Sequence, residues 1–133
     1  MLTRSSKHLL LISICFCFFL KSFSQSDKNI TGIWKGTSIC QVKNSPCHDE
    51  NVVYHISAGK APDSFYIQAN KIVNGAEEDM GTLGATYNSS KHLLTAHFRK
   101  DDTWEFKING AQMDGTLIYN KTLIRIVKLR KEN

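Results

Sequence analysis

Apolar and polar residues alternate one for one along most of the chain, which is the pattern of half-buried β-strands. One example places Val52, Tyr54 and Ile56 on one face of a strand and polar neighbours between them. After residue 24, apolar residues do not keep helical spacing for more than a turn anywhere in the chain. The alternation predicts eight strands, at residues 30–40, 51–58, 64–70, 80–87, 92–99, 103–108, 112–119 and 122–130.

The connections between these strands are mostly short. Asn109-Gly110 is the strongest hairpin turn in the chain. Residues 71–79, with three consecutive acids, are predicted to form a loop or a wide hairpin connection. A meander of short strands leaves two unpaired edges unless it closes. We therefore expect an all-β fold, an eight-stranded antiparallel up-and-down β-barrel, with a two-sheet sandwich as the alternative.

The start of the chain departs from the alternation and has the three parts of a secretory signal. Arg4 and Lys7 precede an apolar run over residues 9–20, and small residues follow at Ser22 and Ser24. The run is shorter than the roughly 20 residues that a membrane-spanning helix needs. The pattern therefore predicts a cleavable signal, with a retained single-pass anchor as the alternative.

This signal sets the predicted domain organisation and location. Residues 1–24 are assigned to the signal peptide and residues 25–133 to a single β-barrel domain. The mature protein is expected to be periplasmic or secreted, with no stable membrane insertion after cleavage.

The apparent basic charge of the chain comes partly from the signal. Arg4, Lys7 and Lys21 are three of the 17 basic residues, and the remaining 14 face 12 acidic residues, a net charge of +2. The mature part also lacks a basic stripe with interleaved stacking aromatics. We therefore expect no nucleic-acid partner.

Two cysteines, Cys40 and Cys47, remain once the signal is removed. An even number of cysteines in an oxidising compartment favours a disulfide. The alternative is a metal site that adds His48, but the spacing matches no standard zinc pattern. The acids of residues 49–50 and 77–79 could hold calcium if their two loops met at one mouth, and we expect solvated surface instead. No metal ion or cofactor is therefore predicted.

Gly32-Ile33-Trp34, on the first predicted strand, resembles the Gly-x-Trp start of the lipocalin superfamily, which consists of calycin-type β-barrels. In that family the tryptophan closes one end of the barrel and packs under an arginine of the last strand. The resemblance implies a small exported bacterial barrel in which Trp34 and Arg125 form the closing pair, with Arg130 as a second candidate. A guanidinium over an indole face is a cation–π contact.

The chain also resembles, more weakly, the periplasmic inhibitors of bacterial metalloproteases, which are small exported barrels with one disulfide and an early tryptophan. Their N-terminal segment enters the protease cleft. This resemblance implies a protein-binding role for residues 25–29. The short loop closed by Cys40 and Cys47 is a second candidate surface for a protein partner.

An eight-stranded barrel has room inside for side chains or one small ligand. The alternation predicts an inward apolar set: Trp34, Tyr54, Ile56, Phe65, Ile67, Leu83, Leu94, Phe98, Trp104, Phe106, Ile108, Met113, Leu117, Ile124 and Ile126. Because this set is large, most of it must pack against itself. Any cavity is expected to be small and near one mouth.

Five aromatic members of this inward set are the predicted ligand-binding residues: Tyr54, Phe65, Phe98, Trp104 and Phe106. No Ser–His–Asp or Cys–His arrangement has a recognisable local frame, and an enzyme built on residues 48–50 is the outsider. We therefore predict a non-catalytic exported binding protein for a small apolar molecule or lipid. The alternative is a periplasmic protein-binding module such as a protease inhibitor.

Overall fold

A computed structural model describes residues 29–133. The predicted signal peptide, residues 1–24, and residues 25–28 lie outside the described residues. Between residues 29 and 133, no helix has the length and apolar character that crossing a membrane requires.

The described chain forms a closed barrel of eight antiparallel strands in which each strand pairs with its sequence neighbours and the last strand pairs with the first. The predicted fold class is confirmed. The strands are β1 (Gly32–Cys40), β2 (Glu50–Ala58), β3 (Ser64–Val73), β4 (Ala76–Asn88), β5 (Leu93–Ala96), β6 (Asp102–Asn109), β7 (Gln112–Tyr119) and β8 (Thr122–Lys131).

Residues 71–79, expected to be a loop or wide connection, are instead a tight hairpin. Val73 pairs with Ala76, and the turn consists of Asn74 and Gly75. Both turn residues have positive φ, 52° and 81°, as two-residue hairpin turns with an Asn-Gly pair require. The acids that follow lie in an exposed part of β4. Because both faces of the hairpin meet water there, no apolar alternation marks it as strand.

The strand predicted at residues 92–99 is shorter than expected, because the chain leaves the barrel wall after Ala96. The buried carboxylate of Asp102 accepts a hydrogen bond from the backbone N–H of Phe98 at 2.8 Å. A ring nitrogen of His97 lies 2.7 Å from the Asp102 carbonyl oxygen. These contacts turn the chain back, and Phe98 ends 58% exposed at the rim of the barrel.

The inward face of β8 differs from the predicted one. Leu117 pairs with Arg125 while Ile118 pairs with Leu123, so Ile124 is an extra residue in the strand. A bulge of this kind changes which residues face inward. Beyond it, Val127 and Leu129 are buried at 0% and 3% exposure, and the prediction that Ile126 points inward is wrong.

One end of the barrel is packed solid around Trp34, which has no exposed surface. Its indole N–H donates a 2.8 Å hydrogen bond to the carbonyl of Ile30, which is itself buried and precedes β1. Other buried residues fill this half, among them Ile56, Phe65, Ile67, Leu94, Met113 and Leu129. We call this the closed end. The open end is the one at which β1 finishes and β2 begins.

Gly36 allows β1 to approach β8 closely. A Cβ atom at this position would overlap the backbone carbonyl group of Lys128, which cannot move without breaking the strand pairing. We expect Gly36→Ala to lower the free energy of unfolding by about 1–3 kcal/mol in urea denaturation. Gly84→Ala is the matched control, because a Cβ there meets open space, and it should change stability by no more than about 0.5 kcal/mol. Equal stability of the two variants would contradict this reading of the β1–β8 contact.

Candidate functional site: a cavity at the open end

The open half of the barrel encloses a cavity of about 420 Å³. This volume lies within the range of roughly 300–1,000 Å³ that is typical of small-molecule sites. The apolar part of its wall consists of Tyr54, Ala69, Met80, Leu83, Phe98, Trp104, Leu117, Tyr119 and Ile124. The polar side chains at the cavity are Ser38, Glu50, Arg99, Asp102 and Arg125.

The cavity exists because small residues face it from two neighbouring strands. Ala69 on β3 pairs with Gly81 on β4, and the register shift beside this pair makes Met80 the extra residue of a bulge. Gly81 has φ of 117°, a backbone conformation that residues with a side chain rarely adopt. One section of the wall therefore contributes almost no side-chain volume at this level.

Aromatic rings separate the hollow half from the packed half. Trp104 stacks on Phe106 with ring centroids 5.8 Å apart and planes 5° from parallel. Tyr54 meets Phe106 edge to face at 6.1 Å. Phe106 is fully buried, whereas Trp104 is partly exposed to the cavity. An aromatic layer thus forms the floor of the cavity.

The structure brings three of the five predicted ligand-binding residues to the cavity: Tyr54, Phe98 and Trp104. Phe106 lies one layer deeper, beneath Trp104. Phe65 lies in the packed core, where it contacts Tyr87 edge to face at 6.4 Å. Ligand contact by any of these side chains stays a prediction.

A polar cluster centred on Arg125 lies at the side of the cavity where β8, β1 and β2 run side by side. The Nη1 group of Arg125 donates to Ser38 Oγ at 3.1 Å, to the Ser38 carbonyl at 3.4 Å and to the His48 carbonyl at 3.2 Å. Glu50 Oε2 lies 3.5 Å from the same nitrogen. The arginine thereby links three segments of the chain.

Tyr54 contributes a neutral hydroxyl to this side of the cavity. Burial raises its pKa well above the ordinary value, the charge of Arg125 opposes the rise and that of Glu50 adds to it. The side chain is therefore an uncharged hydrogen-bonding group at any physiological pH.

The predicted disulfide between Cys40 and Cys47 is confirmed, with Cα atoms 5.9 Å apart. The backbone N–H of Cys40 donates to the Asp49 carboxylate at 2.9 Å, which closes the base of the loop. The loop leads directly into His48, whose carbonyl contacts Arg125. The disulfide loop therefore belongs to the structure around the cavity. Such a bond also suggests an oxidising compartment.

The predicted closing pair of Trp34 and Arg125 is wrong, because the structure places them at opposite ends of the barrel. In the antiparallel register of β1 and β8, Trp34 pairs with Lys131 and Cys40 pairs with Arg125. The ammonium of Lys131 lies 5.8 Å from the Trp34 ring centroid and supplies the cation–π contact. Arg130, the second candidate, is exposed. In an antiparallel pair, the first residues of β1 lie beside the last residues of β8. The position of Lys131 at the end of β8 could therefore have predicted its contact with Trp34.

The loops that carry the two groups of acids both lie at the open end, but their carboxylates do not come together. Glu77 contacts His55 Nε2 at 2.7 Å and accepts from the Asn70 amide at 2.6 Å, and these hydrogen bonds hold its pKa below the ordinary value. Glu50, by contrast, lies at the cavity. Among residues 29–133, no three His, Cys, Asp or Glu side chains are grouped so that they could hold a metal ion.

Only Asn29 of the predicted protease-binding segment, residues 25–29, lies within the described residues. Its carbonyl accepts a hydrogen bond from Lys131 Nζ at 3.0 Å, at the closed end. The disulfide loop, the other candidate surface for a protein partner, lies at the open end. Both roles stay predictions.

No protein-family model matches the chain, and no curated protein matches it in sequence. The closed eight-stranded barrel is compatible with the lipocalin-like architecture. A relationship to lipocalins or to the metalloprotease inhibitors stays a prediction.

Proposed function

We propose that this chain is an exported, non-catalytic binding protein that takes a small, largely apolar molecule into the open-end cavity. The observation that carries the proposal is the contrast between the two halves of one barrel. The closed end is packed around Trp34, whereas the open end holds a cavity of about 420 Å³ with mostly apolar walls.

The energetics of the cavity favour an apolar ligand. Burial of apolar surface stabilises a complex by about 25 cal/mol per Å². Trp104 and Leu117 offer partly exposed apolar surface inside the barrel, and Phe98 and Tyr119 extend it to the rim. Because the strands form a closed barrel, the walls are already in place before binding. A ligand therefore loses less of this energy to ordering the protein.

The contacts of the polar groups support binding rather than catalysis. The hydroxyl of Ser38 accepts from Arg125, a group that does not act as a general base. The imidazole of His48 is 73% exposed, and its Nδ1 lies 3.2 Å from the Pro46 carbonyl. Export is supported by the signal-like residues 1–24 and by the disulfide.

A cavity-filling variant tests the proposal. The full chain is expressed and the purified product is titrated with the neutral apolar dye N-phenylnaphthylamine, whose fluorescence rises in apolar surroundings. We expect saturable binding of the dye. Ala69→Phe should weaken the binding about tenfold or more, because the new ring fills part of the cavity and each ligand carbon left unburied loses about 0.8 kcal/mol of binding free energy.

Thr82→Phe is the matched control, because Thr82 is exposed on the outer face of the neighbouring strand. It adds the same ring outside the cavity and should leave dye affinity unchanged. Thermal unfolding confirms that both variants are folded. The proposal fails if the dye does not bind, or if a folded Ala69→Phe variant binds it as tightly as the unmodified chain.

A further inference from the structure

We infer that the ligand of this cavity is an amphiphile with a carboxylate head group, bound by Arg125. The inference rests on the proposed function and adds the chemical class of the ligand. It follows from the donors that Arg125 has left, from the length of its ion pair with Glu50, and from the position of the apolar wall beside it.

The guanidinium keeps one complete edge for a ligand. All the polar contacts that residues 29–133 make with it involve Nη1. Among residues 29–133, the side-chain amide oxygen of Asn70 is the one fully buried side-chain polar atom that has no hydrogen-bond partner. Within the same residues Nε and Nη2 of Arg125 have no partner either, so they are not fully buried, and solvent reaches them. These two nitrogens point their N–H groups in parallel, the arrangement that binds a carboxylate through two hydrogen bonds.

The contact between Arg125 and Glu50 is an ion pair without a charge-assisted hydrogen bond. The separation of 3.5 Å exceeds the about 2.7–2.9 Å of a charge-assisted hydrogen bond. Both side chains are mostly removed from solvent, with 16% and 14% of their surface exposed. A second carboxylate on the free edge would form the short contacts that Glu50 does not make.

The apolar part of the ligand finds its surface directly beside the head-group site. Leu117 pairs with Arg125 on one side and with Trp104 on the other, so the three positions form a row across β8, β7 and β6. A carboxylate held at Arg125 would place an attached hydrocarbon chain along Leu117 and onto the Trp104 ring. The acids at the cavity are less suited to a cationic head group. Asp102 already accepts from the Phe98 N–H, and Glu50 faces Arg125.

The test compares ligands that share one hydrocarbon chain and differ in head group. Decanoate, decanol and decylammonium are titrated into the protein purified from cells expressing the full chain, by dye displacement, below their micelle concentrations and at low salt. We expect decanoate to bind about tenfold or more tightly than decanol, the size expected for hydrogen bonds to a charged group.

Variants assign this preference to one arginine. In Arg125→Gln, decanoate affinity should fall to that of decanol, while decanol affinity stays unchanged. Arg125→Lys keeps the charge without the paired donors and should recover only part of the preference. Arg130→Gln is the matched control, because Arg130 lies on the same strand, is exposed and is not part of the cavity wall. It should leave the preference intact.

Glu50→Gln gives a gain-of-affinity test that does not depend on the folding of an Arg125 variant. Removing the competing carboxylate should tighten decanoate binding several-fold and leave decanol unchanged. Equal affinity for decanoate and decanol, or a preference for decylammonium, overturns the carboxylate inference while the binding function stands. Failure of all three ligands and of the neutral dye overturns the binding function itself.

Discussion

Replacing Trp34 by alanine is expected to lower the free energy of unfolding by about 3–5 kcal/mol, the largest effect of any single change proposed for this protein. The indole has no exposed surface, and its N–H bonds the buried segment at Ile30. The ammonium of Lys131 rests over its face. Removing the ring leaves a cavity at the closed end and frees the chain that precedes β1. Urea denaturation followed by far-UV circular dichroism measures the loss.

Trp104→Ala is the matched control for this change. Trp104 has the same side chain, but one face of it borders the cavity rather than packed protein. Its loss should cost roughly half as much stability or less, because fewer packing contacts disappear. The same variant should weaken dye binding, which Trp34→Ala affects only through folding. If the two variants lost the same stability, the division into a packed half and a hollow half would be wrong.

Opening the disulfide is expected to have the second largest effect. The double variant Cys40→Ser, Cys47→Ser should lose about 2–3 kcal/mol of stability, because the bond no longer restricts the unfolded chain. It should also weaken decanoate binding more than decanol binding. The loop holds the His48 carbonyl against Arg125, and a looser loop lets the guanidinium move.

Ser45→Ala provides the control for the loop. It removes the hydrogen bonds that Ser45 Oγ makes with Val42 and Cys47 and leaves the disulfide in place. Stability should then fall by no more than about 1 kcal/mol, with the head-group preference unchanged. A double cysteine variant that kept full stability and full preference for decanoate would show that the loop does not position Arg125.

The two ends of this barrel illustrate how one fold separates stability from binding. At the closed end, large side chains, a buried indole hydrogen bond and the cation–π contact of Lys131 contribute to folding. At the open end, the small residues Ala69 and Gly81 leave space, and the polar cluster around Arg125 lies on one side of it. Mutations at the closed end should therefore affect stability first, and those at the open end ligand binding.

The fold could be predicted from sequence because its signal is repeated in nearly every strand. Alternation of apolar and polar residues with short turns between them leaves a closed meander as the simplest arrangement without free edges. The disulfide was predictable because only Cys40 and Cys47 follow the signal-like segment. Tyr54 and Trp104 reach the cavity for the same reason, since their strand parity decides which face they occupy, whereas Phe98 borders the cavity from the segment after β5.

Other features depend on the register between strands and on depth along the barrel axis. The alternation of apolar and polar residues carries no information about either. The β8 sequence has apolar residues on both faces, so the bulge at Ile124 decided that Arg125 faces the cavity. The pairing of β1 with β8 decided that Lys131, and not Arg125, meets Trp34. Depth along the barrel placed Phe65 in the core, although it is as apolar as the residues at the cavity.

The sequence by itself determined that this chain forms strands, that they close into a barrel, and which cysteines join. Only the tertiary structure decided where the barrel is hollow and which charged group faces the hollow. The physical reason is that strand formation and closure depend on local periodicity, whereas a cavity depends on which small residues from separate strands fall at the same height.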